Sequence, residues 1–210
     1  MNQLTSHSLS QRRQRNHDLM AQSILENARV IMREGGVAAL SMQELARRLD
    51  VRAPSLYHYY SGKMNIYDAL FQQGFTLFGE TMEKASREAK NWQEELQLSF
   101  EAYMNFAMQN PELYQLCFER PVPGFSPSEE SLKLSFGLLQ QSYERVTRHL
   151  YPKIKTELSP EQLGDVVIAM MHGLTALHLA NEPHLPVGQG RFGALIPAVI
   201  SILDGAWSKS

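Results

Sequence analysis

The sequence predicts an all-α protein, and three observations lead there. Apolar residues recur at helical spacing in one stretch after another, with no strand-like alternation and no internal repeat in the 210 residues. Ser and Pro signals open several of these stretches, and Gly or Pro closes them. Residues 41–63, SMQELARRLDVRAPSLYHYYSGK, read as two short helices joined by a tight turn. About nine helices are expected. Three form an N-terminal domain at 17–63, behind a leader at 1–16, and the others a second helical domain at 64–210.

Residues 1–16 are polar, carry Arg12, Arg13 and Arg15, and read as a flexible basic leader. Helix one is expected from about residue 17 to 33, with Ile24, Leu25, Ala28, Ile31 and Met32 inward and Gly35 and Gly36 ending it. Ser41 is a good N-cap, and Glu44 three residues later completes a capping box, so helix two starts at Met42. Leu45, Ala46 and Leu49 form its apolar face, while Glu44, Arg47 and Arg48 look outward. Asp50 tolerates the left-handed turn, and Val51 packs the corner. Helix three starts near Ala53 with Pro54 in its first turn, where a missing N–H costs nothing. Leu56 and Tyr60, four apart, face inward. Arg52, Ala53, Ser55, Tyr57, His58 and Tyr59 are left on surface or flanking positions.

Lys63 opens a fourth helix to about residue 87, with Ile66, Tyr67, Leu70, Phe71, Phe75, Leu77 and Phe78 as its apolar set. A fifth runs over 92–108, Pro111 breaks the chain, and a short segment covers 112–118. PVPGFSPS at 121–128 is the clearest loop. Ser126 or Ser128 then caps a helix whose face is Leu132, Phe136, Leu139, Tyr143 and Val146, with Pro152 near its end. Ser159-Pro160-Glu161-Gln162 is a further N-terminus signature. The stripe behind it is Leu163, Val166, Val167, Met170, Met171, Leu174 and Leu177, ended by Pro183 and Pro186. The last helix spans 190–207, and Pro197 inside it calls for a kink or a late start.

Composition narrows the function classes. A hydrophobic share of 43% and a charged share of 20% are ordinary for a globular protein. The net charge of −2 conceals an asymmetry: residues 1–63 hold nine Lys/Arg against five Asp/Glu, and residues 64–210 eleven against seventeen. A basic front on an acidic body is what a protein needs when one end meets nucleic acid. The single Cys117 excludes an intrachain disulfide framework and suits a reducing compartment. No secretory signal is visible, and no apolar run approaches the roughly 18 residues of a membrane span. A cytoplasmic protein, associated with the nucleoid, is expected.

Enzyme chemistry finds no support. His172 and His178 lie six apart, about 120° from each other on the helical wheel, whereas metal pairs on helices want three or four. No HExxH, paired cysteines or phosphate-cradling Gly loop occurs, so neither a metal nor a cofactor is expected. Cys117, between Leu116 and Phe118, reads as a small buried hydrophobe rather than a nucleophile.

Soluble domains seldom turn so many aromatics outward as helix three does. Arg, Ser, Tyr and His on one short helix, backed by Lys63, suit a duplex, hydroxyls and cations holding phosphates while end residues reach bases. An ordinary αα-corner with exposed tyrosines is the plainer reading. On the duplex reading, the arginines of the leader are an arm for the DNA backbone or minor groove.

Residues 24–63 resemble the DNA-binding domain of the tetracycline-repressor (TetR-type) regulators. The likeness is carried by I-L-x-x-A, the glycine pair, L-S-M-x-x-L-A-x-x-L and V-x-x-P-S-L-Y-x-Y-x-x-x-K. Asp50 stands where that family usually has Gly, and Met32 where it usually has Phe. The resemblance implies that residues 54–60, from Pro54 on, enter a major groove. Gln43, Arg52, Ala53, Ser55 and Tyr57 are then candidates for base contact. Ser41, Met42 through its backbone N–H, Ser55, Tyr57, His58, Tyr59 and Lys63 are candidates for phosphate contact.

Residues 100–118 together with Met171-His172-Gly173-Leu174 resemble the WHG-type ligand-binding subgroup, although the expected Trp upstream of His-Gly is absent. Members of the family commonly dimerise through their last two long helices. Here these would be 160–181 and 190–207, with Val167, Met171, Leu174, Leu195, Val199 and Leu203 as interface candidates. Most of the ten Met and the aromatics are core, yet together they suit an adaptable apolar cavity. Tyr103, Phe106, Met108, Tyr114, Phe118 and Met170 are its candidate walls, and His172 with the two tyrosines its polar groups. Arg120 is the cation near that set. The sequence thus leads to a homodimeric, ligand-responsive DNA-binding regulator, a repressor released from a palindromic operator by a small apolar inducer. A constitutive or architectural DNA binder is the alternative.

Overall fold

The structure, a computed structural model, describes residues 2–207, with side chains from residue 11 onward. Its helices are α1 (Asn2–Gly35), α2 (Met42–Arg48), α3 (Ala53–Leu56), α4 (Lys63–Glu88), α5 (Trp92–Gln109), α6 (Pro111–Tyr114), α7 (Glu129–Arg145), α8 (Pro160–Asn181), α9 (Gly190–Gly193) and α10 (Ile196–Trp207). Gln115–Glu119 and Val146–Leu150 wind more loosely as π-helical turns. No strand occurs among the described residues.

Local chemistry sets most of these limits. Ser41 Oγ accepts the Glu44 N–H at 3.1 Å and starts α2. The Glu44 carboxylate does not close a box there; it takes Arg47 Nε at 2.8 Å and Arg48 Nε at 2.8 Å. At Ser159 the reciprocal box does form, with Gln162 N–H to Ser159 Oγ at 3.2 Å and Ser159 N–H to Gln162 Oε1 at 2.9 Å. Asp50 has φ 52°, the left-handed turn expected of it, and Gly36 with φ 86° ends α1.

Three expectations are corrected, and one of two alternatives is settled. Helix α1 begins at Asn2 rather than near His17; the run QRRQR at 11–15 is built of good helix formers and Gln14 bonds Asp18 one turn on at 2.8 Å, whereas propensity does not account for the Ser-rich residues 2–10. Helix α3, expected over residues 54–60, is one α-turn long, continued through residues 57–60 by tighter bonds such as Tyr59 N–H to Leu56 O at 3.0 Å. The last helix starts late, as Pro197 called for: α9 stops at Gly193, and Pro197 takes the second position of α10, where it costs no hydrogen bond. Phe136, placed on the inward face of α7, is 61% exposed. In addition, α8 is long and apolar enough by length and composition to cross a membrane, since the polar groups that interrupt its runs do not lower its average enough.

The chain forms two compact units. The first is Met1–Gln73 with Glu112–Ser128, and the second Gly74–Pro111 with Glu129–Ser210. In the first, Ile24, Ala28, Leu45, Leu56, Ile66, Tyr67 and Leu70 are fully enclosed, joined by Leu113, Tyr114 and Leu116 from the returning segment. Each such large apolar side chain contributes about 1.5–3 kcal/mol by leaving water. Tyr67 Oη donates to Val37 O at 2.7 Å, fixing the turn before α2 against α4. Phe125 packs its ring on Tyr67 and Phe71, and Ser128 N–H reaches Asp68 Oδ1 at 2.8 Å. Glu112 is the anchor of the segment: its enclosed carboxylate accepts Arg29 Nε at 2.7 Å and Arg33 Nε at 2.6 Å.

The second unit packs α5, α7, α8 and α10 around Trp92, Leu96, Phe100, Met104, Leu163, Val167, Ile196 and Ile200. Helix α8 approaches α7 at Gly164, where any Cβ would sit 2.8 Å from the Tyr143 ring. His178 is fully buried, and its Nε2 lies 3.0 Å from Leu185 O, which ties the chain after α8 back to the helix.

Candidate nucleic-acid interface

Helices α2 and α3 and the start of α4 present one set of polar groups. Ser41, Gln43, Arg52, Pro54, Tyr57, His58 and Lys63 are exposed, and Met42, Ala53, Ser55 and Tyr59 are half-buried. Tyr57 at 54% exposure is an outward aromatic on a helix whose next inward residue, Leu56, is fully enclosed. Arg52 is the N-cap of α3 and Lys63 the first residue of α4, so their charges stand at helix ends rather than along a packed face.

The cations are not all available to a polyanion. Arg47 and Arg48 turn back to Glu44, and Arg48 also reaches Glu34. Hydrogen bonds from Arg47 and then Arg48 hold the Glu44 carboxyl at about 2, far below its ordinary 4.5. Arg29 and Arg33 are taken by Glu112. Arg52 and Lys63 have no ion pair among the described residues. The sequence reading missed one participant, His17, whose ring stacks on Tyr59 at 4.8 Å between centroids. Nothing in periodicity marks such a pairing, because it joins residues 42 positions apart.

The ligand candidates fall in both units. In the second, Tyr103 Oη lies 3.0 Å from His172 Nδ1, and Phe78 meets the Tyr103 and Phe106 rings edge-on. Met108, Met170 and His172 are half-buried. Tyr114 and Phe118 belong to the first unit, their rings 5.6 Å apart, and burial pushes the Tyr114 phenol well up. Arg120 is exposed. A cavity of about 60 Å³ in the second unit is lined by Met82, Trp92, Leu96, Val146, Val167 and Met171, with Glu95, Arg145 and His149 at its edge. None of the seven ligand candidates lines it.

Of the interface candidates, Val167, Met171 and Leu203 are buried within the subunit, Leu174 and Val199 are half-buried, and Leu195 is 42% exposed. Leu177 and Ile202, at 46% and 64%, are the exposed large apolar groups of α8 and α10.

Residues 24–70 match the family model of bacterial regulatory proteins of the tetR family. That match does not extend to the segments on which the WHG resemblance rests. The uncharacterized HTH-type transcriptional regulator YobS of Bacillus subtilis is 32% identical over 97 residues, 46% of this chain and 50% of that protein. The chain thus spans about half the length of this curated relative. A protein of unknown function from Rhodococcus sp. RHA1 shares the fold with a TM-score of 0.76 at 19% identity, over 90% of this chain and 95% of that one. The transcriptional regulator FadR of Bacillus subtilis, solved in complex with stearoyl-CoA, superposes with a TM-score of 0.64 at 19% identity, over 87% and 96%. Residues 24–70 thus carry the helix-turn-helix domain of the tetR family of bacterial regulatory proteins.

Proposed function

We propose that this chain is a homodimeric, ligand-responsive transcriptional regulator, a repressor that leaves a palindromic operator when a small apolar effector binds. The observation that carries the reading is the row of exposed hydroxyls, aromatics and cations on α2, α3 and the start of α4. Two such heads must stand about 34–36 Å apart to enter successive major grooves, so a monomer would not suffice. Leu177, Leu195 and Ile202 supply the apolar surface for the second copy. A protein of this kind works in the cytoplasm, where its operator is.

The effector reading rests on the second unit. Its cavity of about 60 Å³ holds little more than water, against the 300 Å³ or more of a typical ligand site. A ligand must therefore part the helices around Met82, Trp92 and Met171, and Met and aromatic walls repack readily. Met82 belongs to α4, the helix that Lys63 opens. The ligand acts only through its differential affinity for the two states. FadR, which shares this fold, was crystallised with stearoyl-CoA, an amphipathic molecule whose acyl chain is a long apolar group.

Selection of bound sequences from a random DNA pool tests the first half. A palindromic consensus is expected, and recovery of no enriched sequence would refute the DNA reading. Titration of the bound duplex with acyl-CoA then tests the second. Tenfold weaker operator binding must be matched by tenfold weaker ligand binding on the operator complex. A ligand insensitive to operator would leave the constitutive binder.

A further inference from the structure

The charge of the first unit is not where its packed core needs it. This unit holds ten Lys/Arg against eight Asp/Glu. Four of the ten, Arg29, Arg33, Arg47 and Arg48, are engaged by Glu112, Glu34 and Glu44. Arg12, Arg13 and Arg15 are exposed on α1, and no ion pair is described for any of them. Without these three the unit would hold seven cations against eight acids, a formal net charge of −1 instead of +2. The turn that carries them therefore decides the sign of the whole unit.

Its position points the same way. His17 lies one helical turn after Arg13, about 6 Å along the axis, and 40° from it on the wheel. The His17 ring stacks at 4.8 Å on Tyr59, which follows the recognition helix and is itself a candidate for phosphate contact. Arg12 and Arg15, three apart, lie about 60° from each other on the other side of the helix, Arg15 about 160° from Arg13 and from His17, so the three guanidinium groups flank the turn on both sides. The neighbouring acid Asp18 is occupied by Gln14 and lies 3.5 Å from His17 Nδ1.

We propose that the basic turn Arg12–Arg15 of α1, held beside the recognition helix by the His17–Tyr59 stack, is a second phosphate-gripping element for the sugar–phosphate backbone flanking the base-reading site. The inference rests on the DNA-binding reading above. Its helical state also separates it from a minor-groove arm. A helix with side chains is about 10–12 Å wide, and the B-form minor groove about 6 Å. The turn can lie along phosphates but cannot enter the groove as an extended arm does.

The test uses the full chain and a duplex taken from the random-pool selection, with binding measured by anisotropy between about 50 and 200 mM salt. In R12Q/R13Q/R15Q, which keeps helix propensity, the slope of log K against log salt should fall by about 0.9 for each phosphate no longer neutralised, about 2.7 per protomer if all three arginines meet one. Affinity should fall alike for every duplex, with the selected consensus unchanged. R12K/R13K/R15K should retain the wild-type slope, and His17→Ala should lose part of it. Trimming the flanks of the duplex should weaken the wild type and leave the triple Gln variant nearly unaffected. A triple Gln variant with the wild-type slope overturns the proposal, and so does a changed base preference at the flanks. Failure of the wild type itself to bind any duplex would instead refute the DNA-binding reading.

Discussion

Glu112→Gln is the substitution whose cost the structure defines best. The Glu112 carboxylate is fully enclosed, while Arg29 and Arg33 beside it are 20% and 45% exposed. Removing one member of a buried pair costs about 3–5 kcal/mol when the other is left dry. Water still reaches both guanidinium groups here, Arg33 most of all, so the cost falls to about 2–3 kcal/mol. Gln keeps the shape and one acceptor, which confines the loss to the charge and the displaced hydrogen bonds. In a chain of 210 residues each kcal/mol moves Tm by about 2–4 °C, so a fall of about 5–10 °C is expected. Urea unfolding of Glu112→Gln, Arg33→Ala and the double variant, at unchanged m-value, gives the coupling directly. The pair should couple by about 1–2 kcal/mol. A Glu112→Gln protein within about 0.5 kcal/mol of wild type, or strictly additive effects, would refute the assignment of Glu112 as the anchor of residues 112–128.

The other predictions are briefer. Tyr57→Ala and Lys63→Ala should weaken operator binding at unchanged thermal stability, and Lys63→Ala should lower the salt slope by about one per protomer; equal gel-shift affinity of the Tyr57 variant would remove this helix from the groove. Leu177→Glu with Ile202→Glu should give monomers that stay folded, since both side chains are exposed in the subunit, and a dimer persisting in light scattering would refute this face. Glu44, held at about 2 against an ordinary 4.5, adds stability that is complete above about 4.5 and lost as pH falls toward 2. The advantage of wild type over Glu44→Gln should therefore shrink across that interval, and a pH-independent difference would contradict the pairing with Arg47 and Arg48. Cys117 is 6% exposed and burial pushes its thiol well up, so it should resist a thiol reagent until unfolding; prompt labelling of the native protein would contradict this.

The sequence by itself determined what depends on a few adjacent residues. Ser41 and Ser159 begin helices because a hydroxyl three residues ahead of an N–H needs no distant partner. Asp50 accepts the left-handed turn, and Pro197 forces the late start of α10, for reasons within one turn of chain. The burial of Leu56 and the exposure of Tyr57 were legible because Leu56 is the strongly apolar residue of that short helix, which leaves its neighbour to the outer side. Tertiary structure decided which way each helix is rotated and what lies opposite. Glu112 meets Arg29 across 83 residues and Arg33 across 79, and His17 meets Tyr59, pairings no local pattern encodes. The stripe on α8 was read correctly as apolar, yet only packing shows Val167 and Met171 consumed by the subunit's own core while Leu177 stays open. A period of 3.6 residues says that a face exists; the direction of that face is set by packing between segments far apart in the chain.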